Sequence, residues 1–123
     1  MLTPTVIEPQ LLAELVAIGQ ERLPNEACGV ILPYRWHGKQ VFEMPNRSLR
    51  PHDRFDMRSE DIGIALQDWV NDNRGEVAWE QLTLWHTHPS GSTNPSEIDM
   101  ANRVPNCGNL IIALGDNPRA TWF

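Results

Sequence analysis

"LWHTHPSGSTNPSEID", residues 84–99, puts two histidines, a serine and an aspartate within a single strand-loop-helix reading. On an extended segment, side chains i and i+2 project from one face, so His86 and His88 point the same way off the end of the strand-like "QLTLW" (81–85). Downstream, Asn94-Pro95-Ser96-Glu97 reads as a helix start, with Asn94 as N-cap, Pro95 at the first position and Glu97 at the third. That helix is expected to run to about Arg103, ahead of Pro105. Asp99 then lies one turn beyond Ser96, on a shared helix face. If "PSGSTN" folds this helix back over the strand end, two imidazole nitrogens and one carboxylate oxygen meet. Two histidines and a carboxylate with an open position suit catalytic zinc. The same set is a facial triad for iron(II), and solvated histidines are the ordinary alternative to both.

Outward from this stretch, "IEPQLLAELVAIGQERLP" (7–24) repeats Ile7, Leu11, Leu15 and Ile18 at helical spacing, with Pro9 in the first turn and Pro24 beyond the end. "ACGVILP" (27–33) is a short apolar run that predicts a buried strand. "YRWHGKQVFEM" (34–44) predicts two strand pieces around a turn at His37-Gly38. "PNRSLRPHDRF" (45–55) is polar and punctuated by proline, as surface loops are. A second helix is predicted from Ser59, as cap, to about Asn73, with Glu60 and Asp61 at its positive end and Ile62, Leu66, Trp69 and Val70 as its apolar stripe. "NLIIAL" (109–114) and "RATWF" (119–123) are closing strands around "GDNP" (115–118). Helices interleaved with strands predict an α/β (α+β) fold, a mixed sheet flanked by helices, with residues 1–123 forming one domain.

Composition narrows the function classes. Hydrophobic content of 41% and charged content of 21% are those of a globular chain. A net charge of −6 with no basic cluster argues against nucleic acid, whose phosphates need neutralising, and against anionic membranes. No apolar stretch approaches the roughly 20 residues of a membrane span, and the start lacks a signal-peptide pattern, so the expected compartment is the cytoplasm. Cys28 and Cys107 form no CxxC pair and read as buried thiols. HxE with PCxxC, which a zinc deaminase needs, is absent, as is a GxSxG nucleophile elbow. A cupin is disfavoured because no histidine follows His88 and helices are well signalled. His37 and His52 sit in turn-like contexts, Asp53 and Asp56 read as loop charges, and Trp85 is the tryptophan expected nearest the histidine pair.

Glu26 in "PNEACGVIL", then His86-Thr87-His88-Pro89, then Ser96-Glu97-Ile98-Asp99 resemble the JAMM metallopeptidase motif of the MPN (Mov34/PAD-1) domain family. On its own residues Glu26 reads as a solvated side chain at the end of the first helix, and Ser96 as a helix cap. The resemblance covers nearly the whole chain, and it implies a mixed sheet with helices, distantly like the deaminases. It implies one Zn²⁺ per chain held by His86, His88 and Asp99, Glu26 as general base and then proton donor to the leaving amine, and Ser96 steadying the oxyanion. The activity implied is hydrolysis of a peptide or isopeptide bond in a small protein, ubiquitin-like in some members, or in a peptide. The compact length is similar to stand-alone prokaryotic and phage members. Among these are trimmers of ubiquitin-like sulfur carriers, and phage tail-assembly proteins that often accompany an NlpC-type cell-wall peptidase. A tail-assembly or binding module, and with it a virion location, is the second expectation.

Overall fold

β3 (Thr83–His88) is the middle strand of a five-stranded sheet and carries both histidines. In this computed structural model, residues 7–33, 38–73, 75 and 78–123 are described, with the side chain of Trp79 left aside. The chain runs α1 (Pro9–Arg22), β1 (Cys28–Pro33), β2 (Lys39–Met44), α2 (Ser59–Asn73), a 3₁₀ turn (Trp79–Gln81), β3, α3 (Glu97–Ala101), β4 (Gly108–Ala113) and β5 (Arg119–Trp122). Sheet order is β2-β1-β3-β4-β5. β3 and β4 are parallel, joined through α3, and every other neighbouring pair is antiparallel. The expected mixed sheet flanked by helices is therefore the observed architecture.

Alternation along the strands separates two apolar layers. Cys28, Val30, Leu32 and Met44 pack with Ala65 and Trp69 of α2 on one face. Ile31, Trp85, Leu110 and Ile112 pack with Leu15 of α1 on the other. The helical periodicities therefore face the layers they should, with Ile62, Leu66 and Val70 beside Trp69, and Ile7, Leu11 and Ile18 beside Leu15. Trp69 secures its polar atom by donating from Nε1 to the Pro33 carbonyl, 2.7 Å. The fully buried indole of Trp85 lies over Gly29, its cross-strand partner. A Cβ on Gly29 would stand 2.8 Å from that ring and 2.0 Å from the Phe42 carbonyl oxygen, so only glycine fits there.

Several expectations are corrected. α3 begins at Glu97 with Ser96 as its cap, two residues later than Asn94, and ends at Ala101 rather than Arg103. The reason is chemical: Ser96 and Asp99 satisfy each other's backbone N–H groups, which Asn94 and Glu97 do not do. Ser59 is the first residue of α2 rather than its cap, and the Arg58 carbonyl accepts from Ile62 N. β3 starts at Thr83 rather than Gln81 and carries His86 and His88 on extended backbone as expected, with Thr87 N donating to the Ala27 carbonyl. The first strand piece expected in 34–44, and His37 of its turn, lie outside the described residues, while Gly38 has φ +83° ahead of β2. Cys28 and Cys107 are both buried free thiols. Among the described residues, no helix is long and apolar enough to cross a membrane.

Candidate metal centre

Two strands and one short helix deliver the polar side chains to one end of the sheet. In the β1/β3 register Cys28 faces His86. Ala27 is tied to Thr87 by two further hydrogen bonds, Thr87 N to the Ala27 carbonyl (2.9 Å) and Ala27 N to Thr87 Oγ1 (2.8 Å). Continuing that pairing sets Glu26 opposite His88, on the sheet face that His86 and His88 share. Trp85, one residue before His86 in the pleat, projects to the other face. Its expected place beside the histidine pair is thus corrected: the backbone is adjacent, but the indole packs in the α1 layer.

The loop after His88 turns sharply. Gly91 takes φ +82°, and a Cβ there would lie 2.6 Å from the Leu114 carbonyl oxygen. Gly91 N and Leu114 N both donate to the His88 carbonyl (3.0 and 3.1 Å), and His88 Nδ1 donates to the Ser92 carbonyl at 3.0 Å. That bond fixes the ring and directs Nε2 inward. At the start of α3, Asp99 N donates to Ser96 Oγ (3.0 Å) while Ser96 N donates to Asp99 Oδ2 (2.9 Å). The capping box that starts the helix therefore also orients the aspartate.

The result is a buried cluster. His86 Nε2 and His88 Nε2 are 3.2 Å apart, His88 Nε2 lies 3.1 Å from Asp99 Oδ2, and His86 Nε2 lies 3.3 Å from Asp99 Oδ1. Each residue is at most 8% exposed, and one donor atom from each falls within 4.8 Å of the others. Zinc bonds of about 2.0–2.1 Å at tetrahedral angles space ligand atoms about 3.3 Å apart. The donor chemistry agrees: two imidazole lone pairs and a carboxylate repel one another unless a proton or a cation sits among them. Burial pushes the His86 pKa down, favouring the neutral imidazole that a metal requires. Burial also acts to lower that of His88, but bonds to Asp99 and the Ser92 carbonyl outweigh it and raise it. For Asp99, desolvation acts upward, yet the bonds from His86, His88 and Ser96 N hold it well below the usual carboxylate range. The site fits a divalent ion bound by His86, His88 and Asp99.

Glu26 is not a solvated helix-end residue. It is 6% exposed, and its Oε1 is buried with no hydrogen-bond partner among the described residues. Desolvation raises its pKa from 4.5 to about 7, against an opposing pull from His88. Its oxygens do not share the tight donor cluster of the other three, so it neighbours the centre without completing the ligand set. The folded state holds a proton on Glu26 that the unfolded chain has released between pH 4.5 and 7, so this residue's contribution to stability is lost as pH rises through that window. At about 1.4 kcal/mol per pKa unit, the ionised side chain costs about 3 kcal/mol above pH 7. In metal-free protein, Glu26→Gln should therefore gain about 3 kcal/mol relative to wild type between pH 4.5 and 8. Urea unfolding at both pH values measures it, and parallel profiles for the two proteins would contradict it.

Two supporting residues escaped the sequence reading because they lie in the segment read as plain surface loop. Asn46 uses its whole amide: Nδ2 donates to the carbonyls of Glu26 and Arg54 (both 2.9 Å), and Oδ1 accepts from Ser48 N and Asp56 N (both 3.1 Å). Glu26 N in turn donates to the Pro51 carbonyl, so the loop clasps the Glu26 backbone from both sides. Phe55 stacks on His86, with centroids 4.3 Å apart. A lone asparagine beside proline was the only sequence signal, and it is shared with many ordinary turns. His52 is largely exposed, as expected. Asp53 and Asp56 lie near arginines, Asp53 2.7 Å from Arg50 and Asp56 3.7 Å from Arg58, rather than joining the cluster.

The sequence matches prokaryotic homologs of the JAB domain over residues 8–123, nearly its full length. The chain belongs to the prokaryotic JAB-domain family. This JAB domain is also 31% identical, over 87 residues, to the tail tip assembly protein K of Escherichia phage N15. The match covers 71% of this chain and 31% of the phage protein, so the JAB domain corresponds to under a third of that relative's length.

Proposed function

We propose that this JAB domain is a zinc-dependent hydrolase of peptide or isopeptide bonds, with a small protein, ubiquitin-like or otherwise, or a peptide as substrate. The observation that carries the reading is the buried carboxyl oxygen of Glu26, without a partner among the described residues, beside a three-donor cluster it does not join. Zinc held by His86, His88 and Asp99 supplies the Lewis acidity that makes water nucleophilic near neutral pH. Glu26, a buried carboxyl beside that cluster and outside its ligand set, takes a proton from the attacking water and returns it to the departing amine. Ser96 Oγ accepts from Asp99 N, which leaves its hydroxyl hydrogen to donate to the carbonyl oxygen as negative charge develops there. The same serine thus caps the helix and serves the reaction.

The likeness to a tail tip assembly protein favours a second reading, an assembly or binding module in a phage tail, with a virion location in place of the cytoplasm. Zinc-loaded protein is expected to cleave at least one member of a panel of peptides and ubiquitin-like conjugates. Chelation should lower the rate at least about 100-fold, and added zinc should restore it. Protein that takes up zinc and binds a tail component but cleaves nothing favours the second reading.

A further inference from the structure

We propose that the cavity beside His86 and Asp99 is a specificity pocket for one bulky apolar side chain, leucine, methionine or phenylalanine, on a substrate residue adjoining the scissile bond. The inference rests on the hydrolytic reading above. The cavity holds about 450 Å³, and His86, Ser96 and Asp99 form part of its wall. Whatever fills it is therefore within reach of the centre. Its other walls include Phe55, Met57, Ile62, Leu84, Val104 and Phe123. Phe55 and Phe123 also hold the His86 ring, one stacked on it and the other edge-on at 5.7 Å, so pocket and metal centre share walls.

Five of the polar residues lining the cavity are engaged elsewhere, and Arg54 lines it as well. Asp53 Oδ2 lies 2.7 Å from Arg50 Nη2, and Asp56 Oδ2 is 3.7 Å from Arg58 Nε. Arg103 Nε donates to the Phe123 carbonyl at 2.8 Å. Asn109 exchanges hydrogen bonds with the Val104 backbone, and Asn102 Nδ2 donates to the Ile98 carbonyl. A polar side chain or a cation entering here would give up water for groups that are mostly already paired, whereas an apolar one covers the apolar wall of Phe55, Met57, Ile62, Leu84, Val104 and Phe123. The volume lies in the range of small-molecule sites and exceeds what glycine or alanine fills.

Two measurements on the zinc-loaded protein test this. The first compares kcat/KM across peptides with glycine, alanine, leucine, phenylalanine, aspartate or lysine on either side of the scissile bond. The second follows binding of N-acetyl-phenylalanine amide and N-acetyl-glycine amide by chemical-shift changes at Val104 and Ile62, which requires no turnover. Leucine or phenylalanine should exceed glycine by about 100-fold at one of the two positions. Val104→Trp, which fills the cavity, should shift the preference toward glycine and alanine. Val104→Ala, which widens it, should keep phenylalanine favoured and guards against a tryptophan variant that fails to fold. Equal rates across the panel, or a preference unchanged in Val104→Trp, overturns the proposal. Binding of the phenylalanine amide without any cleavage keeps the pocket and removes the hydrolytic reading. No binding and no cleavage overturns both.

Discussion

Glu26→Gln should keep its metal and lose turnover. Glutamine has nearly the shape of glutamate but cannot accept a proton at neutral pH, and Glu26 lies outside the donor cluster of His86, His88 and Asp99. Metal analysis should therefore return the wild-type content. Positioned general bases contribute about 10²–10⁴-fold, so kcat should fall by that range while KM changes little. The backbone of residue 26 stays clasped, because its N–H and carbonyl bonds to Pro51 and Asn46 do not involve the side chain. A drop with intact metal isolates proton transfer as the lost step. Turnover equal to wild type would remove Glu26 from the mechanism, and a simultaneous loss of metal would make it a ligand instead.

Asp99→Ala should lose the metal itself. The substitution takes away one of three donors and leaves His86 Nε2 and His88 Nε2 facing each other at 3.2 Å without the carboxylate that contacts both. It also deletes the acceptor for Ser96 N, so the start of α3 loosens. Loss of a group that merely orients a ligand costs about 10–100-fold in affinity, and loss of a ligand should exceed that. Competition against a chelator of known affinity measures the change. The unfolding midpoint gives a second readout: zinc should raise it in wild type by mass action and leave the variant unmoved. Without zinc, the broken cap alone should cost about 1 kcal/mol. Unchanged zinc content in Asp99→Ala would exclude the proposed ligand set.

The divide between what could be read and what could not follows the range of the forces involved. Periodicity placed α1 and α2 on their apolar stripes, and short apolar runs bounded by turn residues placed four of the five strands close to their observed bounds, because burial is a local constraint repeated along the segment. HxHP and SxxD were legible for the same reason: i, i+2 on a strand and a helix-start pair are geometries set within a few residues. The start of α3 was misplaced because two overlapping capping signals competed. Only the reciprocal Ser96–Asp99 bonds, tightened by the histidines that Asp99 faces, selected the later one.

By itself, then, the order of residues determined a mixed sheet with helices, one face for both imidazoles, and a carboxylate on the next helix. Only the tertiary structure decided that Glu26 is buried opposite His88, that Trp85 turns away from the centre, and that Asn46 and Phe55 support it. Those outcomes depend on the register of β1 against β3 and on a loop closed by backbone hydrogen bonds between distant positions. Neither leaves a periodic trace in the chain, because each is fixed by partners far away in sequence.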